Sequence, residues 1–221
     1  MVMLPEPKFF GNTADDSDCV PCCWRMALET YFPDQKWPLK KIKAITRKIK
    51  GEGSWEQPFY STAIRAGCNL HVIAPFSDEQ FVKRGIDYIA EVYCAEEVER
   101  LKKVDDIPFI RARTKQALLS PYMKCNVRAA TITDIKEHLA KGSYVLCGVN
   151  DNVMAGIKGR LDHAVLVYGI KNGWVYFHDP GLPPRPRRRV RIKKFARAFY
   201  SPSRGEAAIL AISKRPATLK K

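Results

Sequence analysis

The segment DSDCVPCCW sets Cys19 at the mouth of an amphipathic helical stretch, where a thiolate is favoured by the partial positive charge of a helix N-terminus. Two distant residues could act with it. His163 opens the apolar stretch HAVLVYGI, after the turn-like NDNVMAGIKGRLD, and Asp179 closes the next stretch, WVYFHD. The turn Lys171-Asn172-Gly173 joins the two stretches as a hairpin. Antiparallel pairing brings the start of one strand beside the end of the next, so His163 and Asp179 are predicted neighbours. A thiol, an imidazole and a carboxylate suit a nucleophile, its base and the acid that orients the base. His178 should face away from Asp179, because strand neighbours alternate.

Other chemistry is conceivable around the same cysteine. Cys19-Val20-Pro21-Cys22 has the C-x-x-C form of a thiol–disulfide redox site. No βαβ pattern precedes it, however, and that reading leaves His163 and Asp179 without a role. A structural zinc site built on Cys19, Cys22 and Cys23 would want a second ligand pair, which the sequence does not offer. Cys22 and Cys23 are therefore expected to pack within the helix.

The elements needed to position these residues can be read along the chain. Residues 20–32 form the nucleophile helix, with Pro21 in its first turn and Asp18 as N-cap. A second helix covers 38–49 and a third 56–66, ending at Gly67. NLHVIA (69–74) reads as a strand, and helices fill 77–119. Thr133 is expected to cap a helix reaching Ala140. SYVLCGVN (143–150), residues 163–170 and 174–179, and AAILAIS (207–213) read as strands, with a short helix over 192–200. Helices first and antiparallel strands second predict an α+β fold of two segregated halves.

The chain has 221 residues, 46% of them hydrophobic, enough for one domain with a real core. Its formal charge is +15, from 38 Lys and Arg against 23 Asp and Glu. That balance permits nucleic acid, an anionic membrane surface or an acidic peptide as partner without selecting any of them. The strongest basic feature is PPRPRRRVRIKK (183–194). Arg185, Arg187, Arg188, Arg189 and Arg191 form a possible surface for an anionic partner; the plainer reading is a solvated loop entering a helix. No apolar run approaches the ~20 residues of a membrane span, and Met1–Phe10 lacks a signal-peptide pattern. The expectation is a cytoplasmic protein with reduced thiols, in which Cys68, Cys94, Cys125 and Cys147 are core residues.

Taken together, the motifs carry a resemblance. DCVPCCWRMALETYF resembles the active-site helix of the bacteriocin-processing, double-glycine leader peptidases and their soluble stand-alone relatives. HAVLVYGIKNGWVYFHDP is similar to that family's His-strand-turn-strand-Asp-Pro segment, and GEGSWEQPFYSTAIRAGCNLHV to its connector. The resemblance covers roughly residues 5–75 and 130–213. It implies a papain-like cysteine peptidase fold over residues 1–213, with a helical half about 1–141, a sheet half about 142–213 and the active site in the cleft between. Residues 214–221 would be a flexible basic tail. It further implies Cys19 as nucleophile, His163 as base, Asp179 as orienting acid, a peptide or amide substrate, and no metal or organic cofactor. The family places a Gln before the nucleophile to bond the oxyanion. Here Asn12 is the only side-chain amide in GNTADDSDC and the candidate for that role. Val20 stands where the family often has Gly. The acyl-enzyme so formed could pass to water or to an amine. A catalytically weak binding protein on the same fold is the alternative.

Overall fold

The computed structural model describes residues 1–14, 17–47, 49–201 and 204–216. Strand β1 (Val2–Met3) is followed by three helices, α1 (Cys19–Tyr31), α2 (Leu39–Thr46) and α3 (Gln57–Ala66). Strand β2 (Cys68–Ala74) leads into α4 (Asp78–Arg84), α5 (Ile86–Val92), α6 (Ala95–Val104) and α7 (Ile107–Leu118). Then come β3 (Met123–Val127), α8 (Ile132–Ala140), β4 (Tyr144–Asn150), α9 (Asp151–Ala155), β5 (Asp162–Lys171) and β6 (Trp174–Asp179). The chain continues through β7 (Arg185–Arg191), α10 (Ile192–Phe199) and β8 (Ile209–Lys214). Among the described residues this makes ten helices and one open eight-stranded sheet, a mixed α+β architecture.

The sheet runs in the order β3-β2-β8-β4-β5-β6-β7, with β1 paired to β5 outside that path. All pairings are antiparallel except β2 with β3. The strands of the expected sheet half do pair antiparallel, but the sheet is not confined to that half: β2 and β3, from the first half, complete it beside β8, and α9 and α10 lie in the second half. The reason lies in the central strands, which are apolar on both faces. Leu146, Ala164, Leu166 and Tyr168 join the core under α1, α2 and α3, and Val145, Cys147, Val165 and Val167 join the core under α8 and α10. Strands buried on both sides need helices on both sides. A separate small core of Phe81, Ile89, Val98, Leu101, Ile107 and Ile110 holds α4 to α7 together.

Local chemistry explains the elements that carry the site. Pro21 sits in the first turn of α1, where its missing N–H costs nothing. Further along α1, Trp24 is fully buried and stacks on Phe59 of α3 with centroids 5.4 Å apart. α3 stops at Gly67, whose φ of 111° is the left-handed conformation that frees the chain to turn into β2. A Cβ there would also come within 3.2 Å of the Phe32 ring. Asn172 and Gly173, with φ of 51° and 77°, make the tight turn that fixes the register of β5 against β6.

Several expectations need correction. The cap of α8 is Thr131, not Thr133. Its hydroxyl accepts from the Asp134 N–H at 3.2 Å, while the Asp134 carboxylate accepts from the Thr131 N–H at 2.8 Å. The basic run is not a solvated loop, because residues 185–191 pair along β6 as strand β7. Cys68 and Cys147 are buried, but Cys94 is exposed at the start of α6 and Cys125 is partly exposed on β3. The tail does not begin at 214, since β8 runs through Lys214 and the Arg215 N–H donates to the Gly67 carbonyl at 2.8 Å. The last part of the expected tail, 217–221, lies outside the described residues. Among the described residues no helix is long and apolar enough to cross a membrane.

Candidate active site

Cys19 is the first residue of α1 and is partly buried. The loop before it is tightly held. Asp18 occupies the N-cap position but makes no side-chain cap bond. Its carboxylate instead accepts from the Thr13 hydroxyl and pairs with Lys43 of α2 at 2.6 Å. Asn12 Oδ1 accepts from the Asp18 N–H at 2.7 Å and the Thr13 N–H at 3.1 Å, and the Asn12 N–H donates to the Pro180 carbonyl at 2.8 Å. The expected oxyanion residue thus pins the loop before Cys19 against the segment that follows Asp179.

Asp18 is completely buried, so its charge depends on Lys43 and nearby hydrogen bonds. Lys43→Met should lower stability by about 2–3 kcal/mol, less than the ~3–5 kcal/mol for breaking a fully buried pair, because Lys43 is itself partly exposed. The check is the urea midpoint, which should fall with an unchanged slope.

His163 Nε2 donates to Asp179 Oδ1 at 2.8 Å. The strand register accounts for the meeting. Leu166 pairs with His178, so one further step sets Asp179 opposite Val165, two residues from His163 and on the same face. With Nε2 taken by Asp179, the other ring nitrogen is left for the hydrogen bond between His163 and Cys19. Burial works against a charge on His163. The bonds to Asp179 and Cys19 outweigh it and lift the imidazole to about 10.

Asp179 is only 1% exposed. Burial alone would raise its carboxyl. The bond from His163, the Gly181 N–H at 3.0 Å and the Arg188 guanidinium hold it well below the usual carboxylate range. Arg185 adds a contact to Oδ2 at 3.3 Å, and Asp151 pairs with Arg188 at 2.8 Å and with Arg185 at 3.6 Å. Gly181 is required where it stands. A Cβ there would lie 3.1 Å from Asp179 Oδ1 and 3.2 Å from the His163 ring.

The structure therefore brings Cys19, His163 and Asp179 together, with Asn12 beside them. His178 points elsewhere, as alternation requires. Its Nε2 donates to the Pro7 carbonyl at 2.7 Å and its Nδ1 accepts from the Arg187 N–H at 3.1 Å, and burial lowers its pKa. Cys22 and Cys23 are buried in α1; Cys22 donates to the Gly11 carbonyl and Cys23 to the Ala164 carbonyl. The five arginines are not one free surface. Arg185 and Arg188 serve Asp179, while Arg187 lies outward in a pair with Glu6 and Arg189 and Arg191 lie outward over the Trp174 ring.

Sequence reasoning missed Lys43, Asp151 and Gly181, and assigned Arg188 to a surface for an anionic partner rather than to Asp179. The one available signal was the Pro180-Gly181 pair directly after Asp179; the others meet the site only through tertiary folding. Among the described residues no three His, Cys, Asp or Glu side chains group as a metal site. No protein-family model matches the chain, and no curated protein matches it.

Proposed function

We propose that this protein is a papain-like cysteine hydrolase acting on a peptide or amide. One observation carries the reading: His163, almost enclosed, bridges Asp179 at 2.8 Å and Cys19 at the mouth of a 13-residue helix. A thiolate of Cys19 would attack the carbonyl carbon while the His163 imidazolium balances its charge. The imidazolium then gives its proton to the leaving amine as the tetrahedral intermediate collapses to an acyl-enzyme. Water, activated by the now neutral His163, releases the acid; an amine in its place would make the reaction acyl transfer. The Cys19 N–H and the Asn12 side-chain amide are the donors proposed for the oxyanion. Removing such a donor typically costs about 3–4 kcal/mol of transition-state stabilisation.

The redox alternative is weakened by Cys22. Burial and then the nearby Asp18 push its thiol up to about 12, so a resolving thiolate would be scarce at neutral pH.

The test uses the protein's own cysteines. At pH 6, limited treatment with iodoacetamide followed by peptide mass mapping should modify Cys19 at least tenfold faster than Cys94, an exposed thiol with no such partner among the described residues. Equal rates at the two positions would remove the catalytic reading. Loss of the fast phase in Cys22→Ser, with His163→Ala unaffected, would favour the redox one.

A further inference from the structure

A cavity of about 390 Å³, in the size range of small-molecule pockets, lies one strand residue away from the candidate site. Gly148 lines it, one residue along β4 from Val149, which pairs with His163. Glu56 lines it too, and lies near enough to act electrostatically on Cys23, one helical turn beyond Cys19. Its walls include the aromatic rings of Trp55, Tyr60, Phe76 and Tyr93.

The carboxylates around it fall into two sets. At the rim, Glu52 and Glu97 both pair with Arg100, at 2.6 and 2.7 Å. Asp105 accepts a hydrogen bond from Trp55. Inside, Glu56 and Asp78 have no cationic partner among the described residues. Asp78 is 3% exposed; its Oδ1 accepts from Gln57 Nε2 at 3.0 Å, but its buried Oδ2 has no hydrogen-bond partner. A buried carboxylate oxygen without a partner is costly, and this chain has fifteen positive charges in excess. Two carboxylates among aromatic rings offer a hard metal ion too few oxygens. They suit an organic cation, whose charge meets the carboxylates and whose stem and face meet the rings.

We infer that this cavity binds a guanidinium or ammonium group on an aliphatic stem, and that it selects the substrate of Cys19 by that charge. The second clause rests on the hydrolase reading; the first does not. The state of the two carboxyls agrees. Glu56 is partly exposed and lines the cavity. Burial, then Asp78, lifts it to about 7, and burial lifts Asp78 to about 6 against the Gln57 bond. Both groups are poised to exchange a proton for a cation.

Binding should be measured by calorimetry on the full chain carrying Cys19→Ala, which removes turnover. The probes are N-acetyl-arginine amide, its uncharged counterpart N-acetyl-citrulline amide, and agmatine. The arginine compound should bind at least tenfold more tightly than the citrulline compound. Asp78→Asn and Glu56→Gln should each weaken the arginine compound at least tenfold while leaving the citrulline compound unchanged. Gly148→Phe provides a second route: a side chain there grows into open space, so it should fill the cavity and abolish binding with an unchanged melting curve. Agmatine binding as tightly as the arginine compound would assign the cation to a free amine, and weaker binding would assign it to a peptide residue. Equal affinity for arginine and citrulline, or no binding of any cation to a protein that melts normally, would overturn the inference. Cation binding without fast alkylation of Cys19 in the unmodified protein would leave the pocket standing and sink the hydrolase.

Discussion

His163→Ala should slow the alkylation of Cys19 at pH 6 by about 10- to 100-fold and bring it to the rate of Cys94. An ordinary thiol is only about 0.3% ionised at that pH. In the proposed ion pair with His163 a thiol would escape this limit, by a factor of up to about 300. Part of that gain is lost because a stabilised thiolate is a weaker nucleophile. Turnover by the proposed hydrolase reaction should fall further than alkylation, by about 10²–10⁴, because in that reaction His163 also delivers a proton to the leaving amine. The same logic sets the alkaline limit. With His163 at about 10, amide cleavage should decline as pH rises through that value, whereas alkylation, which needs no proton donor, should not. A pH–rate profile of each reaction separates the two roles.

The second large effect belongs to Asp179. Asp179→Ala should cost about 3–5 kcal/mol of folding stability at pH 6, because it leaves His163, Arg188 and Arg185 without the buried carboxylate they share. The pH dependence has a definite sign. A histidine raised from 6.5 to about 10 contributes stability that is fully present below 6.5 and is lost as pH rises through 10. The lowered Asp179 contributes stability that is present above its unfolded value and is lost as pH falls through its folded one. The gap between wild type and Asp179→Ala should therefore be widest between about pH 5 and 6.5 and should narrow on going alkaline. Guanidinium midpoints across that range measure it. Activity should collapse with stability, since burial then acts on His163 unopposed by a carboxylate.

The parts of the site that could be read in the sequence are those set by short-range geometry. Asn172-Gly173 between two Val- and Tyr-rich runs forces a tight hairpin, and the hairpin alone brings His163 to Asp179. Pro21 and the aromatic face behind it mark the helix that carries Cys19. The rest depends on contacts that no local pattern announces. Lys43 reaches Asp18 across two elements, and Asp151 meets Arg188 across 37 residues. β7 was invisible because arginines on an edge strand look like a solvated loop; only pairing with β6 shows that Arg185 and Arg188 turn inward while Arg187 and Arg189 do not. Thr131 and Thr133 compete for one cap, and Asp134 decides for Thr131 by returning its bond. Glu56 and Asp78 come from different elements, so their shared cavity appears only in three dimensions.

The position of β8 has a consequence for synthesis. It is the last strand in the described chain, yet it fills the slot between β2 and β4 near the middle of the sheet. Until it emerges from the ribosome, β2–β3 and β4–β7 can exist only as two fragments with bare inner edges, the kind of surface that invites mispairing. A nascent chain that stops short of β8 would already contain Cys19, His163 and Asp179, but not the strand that joins the β2–β3 pair to the β4–β7 sheet. Onset of Cys19 reactivity should therefore coincide with emergence of β8 rather than with synthesis of the three residues themselves.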